Sequence, residues 1–262
     1  MIKRLNRALL AALEVRAIGE VGVLLFALPL LSRSARGDGH PVLLLPGFGA
    51  GESSLEPLRL FLASRGYHVE TWGLGRNRGF NRRFANVVEQ KVRYLHHRHR
   101  RKVSLVGWSL GGVFAYYAAH VAPECVRTVI SLGSPLRLDP DRQPPPGVVA
   151  MYTVLSHPLG PVVHQARARS TKMRAAPPVP STCIYSMHDG VVPPEQATLE
   201  GDPALHENVR VPGSHLGFGV NTLAMWVIAD RLATPEGRWR PFEPSGPVAP
   251  IFRALGFTGV TG

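Results

Sequence analysis

Val103-Ser104-Leu105-Val106-Gly107-Trp108-Ser109-Leu110-Gly111-Gly112 passes from an apolar, strand-like run through a glycine-flanked serine into Val113-Phe114-Ala115-Tyr116-Tyr117-Ala118-Ala119, which reads as a helix. A sharp turn between strand and helix can lift one serine clear of the backbone, provided that the neighbours two residues away are glycines. Side chains at those positions would collide. The helix that follows points its first N–H groups back at Ser109, where they can stabilise developing negative charge. The pentapeptide alone recurs often by chance; its placement between strand and helix makes it specific.

Outward from this turn, strands alternate with helices. Residues 41–45 (Pro-Val-Leu-Leu-Leu) form a continuous apolar run, the pattern of a strand covered on both faces, and end in Pro46-Gly47-Phe48-Gly49. A helix is expected next, with Ser53 or Ser54 near its cap and Leu55, Leu58, Leu60, Phe61 and Leu62 facing inward. Strands are expected at 68–72, 126–132, 182–186 and 207–211, and helices at 83–98, after Gly111, and at 220–232. This alternation predicts an α/β fold with a mostly parallel central sheet and helices on both faces. Such sheets place their chemistry at the C-terminal ends of the strands.

A chain of 262 residues accommodates one α/β domain with a large core, here 37–262, after an N-terminal segment 1–36. Hydrophobic residues at 45% and charged residues at 18% fit a globular protein rather than a disordered one. The two cysteines, Cys125 and Cys183, are too few for a disulfide framework and sit among apolar neighbours, as buried free thiols do. The net charge of +12 is not interleaved with aromatics and no nucleic-acid motif accompanies it, so nucleic acid is not the expected partner. The densest basic cluster, Arg98-His99-Arg100-Arg101-Lys102, ends a helix and complements its dipole. The alternative is attraction to anionic membrane or envelope polymers. His96, His97 and His99 lack a carboxylate or cysteine companion, and neither a metal nor another cofactor is expected.

The N-terminal segment starts with Lys3, Arg4 and Arg7, and Glu14, Arg16 and Glu20 interrupt its apolar stretches. Its uninterrupted run, 21–31, falls short of the ~20 residues that span a bilayer. Ser32-Arg33-Ser34-Ala35 is a poor cleavage site. The expectation is a retained amphipathic helix over about 2–28, which either caps the core or lies in a membrane interface. The protein is then cytoplasmic, with peripheral membrane contact, secretion being the alternative. Oligomeric state has no signature here.

Serine needs a base, and the base needs an orienting acid. Asp189, in Ser186-Met187-His188-Asp189-Gly190-Val191-Val192, follows a strand, and His215, in Gly213-Ser214-His215-Leu216-Gly217, lies between the last strand and the last helix. The order Ser109, Asp189, His215 is the one this kind of turn employs. The alternative for Asp189, before Gly190, is a turn residue; Asp139, and after it Asp141, compete for the acid's role.

Together with Pro46-Gly47-Phe48 and Gly133-Ser134-Pro135, these motifs make residues 40–232 resemble the α/β-hydrolase superfamily, and within it the bacterial lipase-like esterases. The resemblance implies Ser109 as nucleophile, His215 as general base and acid, and Asp189 as orienter. It implies an oxyanion hole from the backbone N–H groups of Phe48 and Leu110, although Pro46-Gly47 stands where lipases carry His-Gly. Trp108, Gly47 and Ser134 become candidates for pocket lining. The proline-rich stretch 136–180 is placed where this fold carries a lid. The implied reaction is hydrolysis of carboxylic esters, of lipids or other small acyl esters, through an acyl-enzyme. Acyl transfer, amide cleavage and a non-catalytic binding protein on the same fold are the alternatives.

Overall fold

The computed structural model describes residues 13–137 and 176–256. Six strands form one sheet: β1 (Pro41–Leu45), β2 (His68–Thr71), β3 (Val103–Trp108), β4 (Val126–Leu132), β5 (Ser181–Tyr185) and β6 (His206–Arg210). Their order is β2-β1-β3-β4-β5-β6 and every neighbouring pair is parallel. Helix α1 (Ala17–Leu31) precedes them, α2 (Glu56–Ser64), α3 (Arg82–His99), α4 (Leu110–Val121) and α5 (Pro194–Ala197) run between them, and α6 (Thr222–Ala233) and α7 (Ala249–Ala254) follow.

The sheet splits the core in two. Leu43, Leu45 and Leu105 pack with Ala85, Val88, Val92 and Leu95 of α3 and Phe114, Ala115 and Ala118 of α4. Val42, Leu44 and Val106 point the other way, toward Leu24 and Leu31 of α1, Leu58 and Leu62 of α2, and Trp226 and Ile228 of α6. Covering on both faces is what the unbroken apolar run at β1 requires. The strand order reverses between β1 and β3, the position at which parallel sheets of this kind usually carry their sites, at the C-terminal ends of the strands.

Side-chain caps fix two of the helices: Asn81 Oδ1 accepts from Phe84 N–H (2.9 Å) and Asn221 Oδ1 from Ala224 N–H (2.9 Å). Cys125 and Cys183 are buried and free. The basic end of α3 is tied down, with Arg101 on Asp38 (2.5 Å) and Lys102 on Glu236 (3.1 Å).

Three expectations require correction. Leu60 is exposed, because Leu58, Phe61 and Leu62 already fill the buried stripe of α2 and Leu60 lies off it. Among the described residues a 3-10 turn at Leu13–Arg16 interrupts the expected helix, and the α-helix Ala17–Leu31 runs past the expected end at 28; the expected start near residue 2 lies outside the described residues, which omit 1–12. Nor is this helix amphipathic as expected: Glu20 is its one charged residue, and apolar side chains lie nearly all round it. Val15, Ile18, Val21, Val23, Leu25, Phe26 and Leu28 are exposed, while Glu14 is buried. The lid-like stretch, with Asp139 and Asp141, falls within 138–175 except at its two ends and so outside the described residues.

Candidate active site

Three turns, after β3, β5 and β6, bring the candidate residues together. Ser109 adopts φ 52° and ψ −122°, a region that non-glycine residues avoid. Its N–H donates to Leu132 O (2.8 Å), which ties the turn to the end of β4. A Cβ at Gly107 would overlap the backbone of Gly111 and Gly112, and one at Gly111 would overlap Leu45 O. The flanking glycines therefore let β3, α4 and β1 close around the serine.

His215 comes from the loop after β6. Its Nε2 is 3.0 Å from Ser109 Oγ and its Nδ1 is 2.7 Å from Asp189 Oδ2. The other carboxylate oxygen, Asp189 Oδ1, accepts from Val191 N–H (2.8 Å) and Val192 N–H (2.7 Å). Asp189 is thus both the turn residue and the partner of His215. With Nδ1 protonated toward Asp189, Nε2 is left as the acceptor for the serine hydroxyl. All three residues are buried. Burial opposes a charged imidazole at His215. The negative charge and hydrogen bond of Asp189, with the charge of Glu14, outweigh it and hold the pKa above its ordinary value.

Trp108 and Gly47 both lie against this centre. Trp108 Nε1–H donates to His215 O (3.0 Å), so the indole braces the base loop. A Cβ at Gly47 would come within 3.2 Å of Ser109 Cβ. Ser134 sits elsewhere: buried beneath the elbow, its hydroxyl donates to Gly107 O (3.4 Å) and it occupies the space a Cβ on Gly112 would need. It supports the turn rather than lining a pocket.

Phe48 is buried in the loop after β1, and Leu110 opens α4, where a first-turn N–H has no intrahelical acceptor. Asn77, fully buried, holds the Phe48 loop. Its Nδ2–H donates to Pro46 O (2.8 Å), its backbone O accepts from Gly49 N–H (2.7 Å) and its N–H donates to Ala50 O (2.9 Å). Sequence reasoning missed Asn77, because a lone asparagine in the glycine-rich stretch 73–79 reads as an ordinary turn residue.

It missed Glu14 and Glu20 as well. Glu14 Oε1 accepts from Gly190 N–H (2.8 Å) and His215 N–H (3.0 Å), and Oε2 from Leu216 N–H (2.9 Å). Glu20 Oε1 accepts from Ser214 N–H (2.8 Å), and Arg16 donates to His188 O (2.9 Å). The only signal was negative: these charges interrupt an otherwise apolar segment.

A second Ser-His-Asp chain lies at the opposite end of the sheet. His40 Nε2 is 2.7 Å from Ser104 Oγ and its Nδ1 is 2.5 Å from Asp38 Oδ1. Ser104, however, is a regular residue of β3, fully buried, and Arg127 bonds both Asp38 (3.0 Å) and His40 (3.1 Å). That chain ties the start of the sheet together, with Ser104 and His40 both fully buried.

Residues 42–254 match the model of the alpha/beta hydrolase family. The chain belongs to this family. Among solved structures, the hydrolase is similar to Aspergillus fumigatus lipase B (TM-score 0.57, 18% identity, 77% of this chain), of whose length it spans only about half, 54%. It is similar too to a Paleococcus ferrophilus monoacylglycerol lipase (TM-score 0.54, 18% identity, 76% of this chain and 96% of that one). A pyrethroid hydrolase from Sphingobium faniae JZ-2 aligns at TM-score 0.55 and 18% identity over 75% of this chain and 98% of its own. At these identities the likeness is one of fold. No curated protein sequence matches the chain significantly.

Proposed function

We propose that this hydrolase cleaves carboxylic esters through an acyl-enzyme formed on Ser109. The observation that carries the reading is the continuous chain from Ser109 Oγ through His215 to Asp189, set on a strained turn at the start of α4. His215 takes the hydroxyl proton as Ser109 attacks the ester carbonyl and returns it to the leaving alcohol. Water then attacks the acyl-serine with the same proton traffic. The N–H groups of Phe48 and Leu110 receive the oxyanion in both halves. The test is a fluorophosphonate probe together with a p-nitrophenyl acyl ester. Wild type is labelled and turns over; Ser109→Ala does neither while remaining folded. Absence of labelling in folded wild type removes the proposal.

One further observation favours lipid esters presented at a surface. No helix among the described residues is long and apolar enough to cross a membrane. Yet α1 turns Ile18, Leu25, Phe26 and Leu28 outward, with Phe26 91% exposed. Met187 and Leu216, on the acid and base loops beneath it, are also exposed. Exposed apolar side chains on α1 and on these two loops fit insertion among acyl chains, and the net charge of +12 fits an anionic bilayer. Flotation with anionic vesicles tests this: wild type rises with the lipid, and a protein that stays with the aqueous fraction refutes it.

A further inference from the structure

Glu14 is a buried carboxylate outside the triad, and it touches both of the loops that deliver the triad's acid and base. One oxygen accepts from Gly190 N–H (2.8 Å), next to Asp189, and from His215 N–H itself (3.0 Å); the other accepts from Leu216 N–H (2.9 Å). Three backbone donors fully engage one carboxylate, and the partners lie 176 to 202 residues away in sequence. The rest of the segment reinforces the grip. Glu20 takes Ser214 N–H (2.8 Å) and its second oxygen fills the space over Gly217, where a Cβ would overlap it. Arg16 holds His188 O (2.9 Å).

Resting on the proposed roles of Ser109, His215 and Asp189, we propose that Glu14 is a positioning residue of the active site, fastening the acid loop to the base loop and placing a second negative charge behind His215. Attack by Ser109 turns His215 into an imidazolium buried from water, and a fixed carboxylate favours that charge at the moment it forms. Two carboxylates therefore face one imidazole: Asp189 through the ring and Glu14 through the backbone and the field. The direction of the His215 pKa, raised despite burial, agrees with both contributions. Trp108 and Phe218 cover the ring (centroids 6.0 and 6.3 Å away) and add no charge. Arg16 and Glu20, the charged groups nearest Glu14 in the chain, are engaged at His188 and Ser214.

Glu14→Gln keeps the size and one acceptor but removes the charge and leaves an amide N–H against a backbone donor. The side-chain pKa of His215, read by NMR of the imidazole in wild type and variant, is expected to fall by at least half a unit. The kcat on a short water-soluble ester is expected to fall 10- to 100-fold, with KM changed less than threefold. Glu14→Asp retains the charge; its His215 pKa is expected within a few tenths of wild type, with a smaller loss of kcat. A folded Glu14→Gln protein with the wild-type His215 pKa overturns the proposal, whatever its rate. If Glu14→Gln does not fold, Glu14→Asp decides: wild-type kcat in that variant, whose shorter reach must loosen the three bonds, overturns it. The NMR reading does not depend on ester turnover. Failure of Ser109 labelling would therefore remove the catalytic reading while leaving the Glu14–His215 coupling separately measurable.

Discussion

The Glu20 carboxylate and Gly217 fit as plug and socket: the glycine has no Cβ, and the carboxylate of a helix almost two hundred residues earlier occupies the space where one would stand. Gly217 is two residues from His215, whose Nε2 is 3.0 Å from Ser109 Oγ.

Gly217→Ala is expected to expel Glu20 and tilt the base loop. Overpacking of this kind costs about 1–3 kcal/mol. Urea unfolding would register the loss, and kcat is expected to fall at least tenfold, since the imidazole must stay within hydrogen-bond reach of the serine. A variant with wild-type kcat would show that the plug does not govern the loop.

Ser109 stores backbone strain at φ 52° and ψ −122°. Ser109→Ala and Ser109→Gly both remove the nucleophile, yet only glycine is at ease in this conformation. Glycine also loses more chain entropy on folding, which offsets part of the gain. The glycine variant is expected to be more stable than the alanine variant by about 1 kcal/mol. Paired denaturation midpoints measure the difference.

Asp189→Asn tests the orientation of His215. Asp189 Oδ1 serves two N–H donors at 2.8 and 2.7 Å, so the asparagine must present its carbonyl there and turn its NH2 toward His215 Nδ1. The ring then keeps its proton on Nε2, the wrong side for accepting from Ser109. A drop in kcat of about 10³–10⁴ is expected with the fold intact. A variant within tenfold of wild type would hand the acid's role elsewhere, Asp139 being the sequence alternative.

Two histidines are shifted in opposite directions, yet both responses favour higher pH. The His215 pKa lies above its ordinary 6.5, and only the neutral ring can take the serine proton. The kcat/KM is therefore expected to rise with pH through an inflection above 6.5. His40 is held down to about 4, by burial and by nearby Arg127, against the pull of Asp38. Between pH 6.5 and 4 the unfolded chain binds a proton at this histidine that the folded chain refuses, so stability falls as pH falls. The contribution reaches ~3 kcal/mol. Urea midpoints at pH 7 and pH 4.5 should show the loss, and His40→Gln should shrink it.

Leu25→Ser combined with Phe26→Ser removes two exposed apolar side chains from α1 without touching the buried Leu24 or Leu31. Vesicle binding is expected to weaken at least tenfold, while turnover of a dissolved short ester stays within twofold. Equal loss on both substrates would locate the effect in the fold.

Much of this was legible from residues alone. The run at 41–45 reads as a doubly covered strand because nothing polar breaks it, and the strand-turn-helix around Ser109 is written in glycines that space demands. Asp189 and His215 announce themselves by following strands in the right order. The N-terminal segment was not legible in the same way. Apolar residues are ordinarily assigned to the core, but here the polar side chains turn inward because they find unpaired N–H groups on two loops. No local pattern encodes partners 176 to 202 residues apart. Leu60 misled for a simpler reason: beside three buried neighbours, its rotation around α2 matters more than its hydrophobicity.

The bonds from Glu14 to His215 and Leu216 span 201 and 202 residues of chain. On a ribosome, the residue that steadies the base emerges long before the loop it must hold. Throughout that interval Ser109 can exist without a settled partner. Contacts this distant in sequence form late, since the intervening chain must first be ordered. On the proposed roles of Glu14 and His215, activity therefore waits in time: it is expected only once Glu14 has met the loop that follows β6.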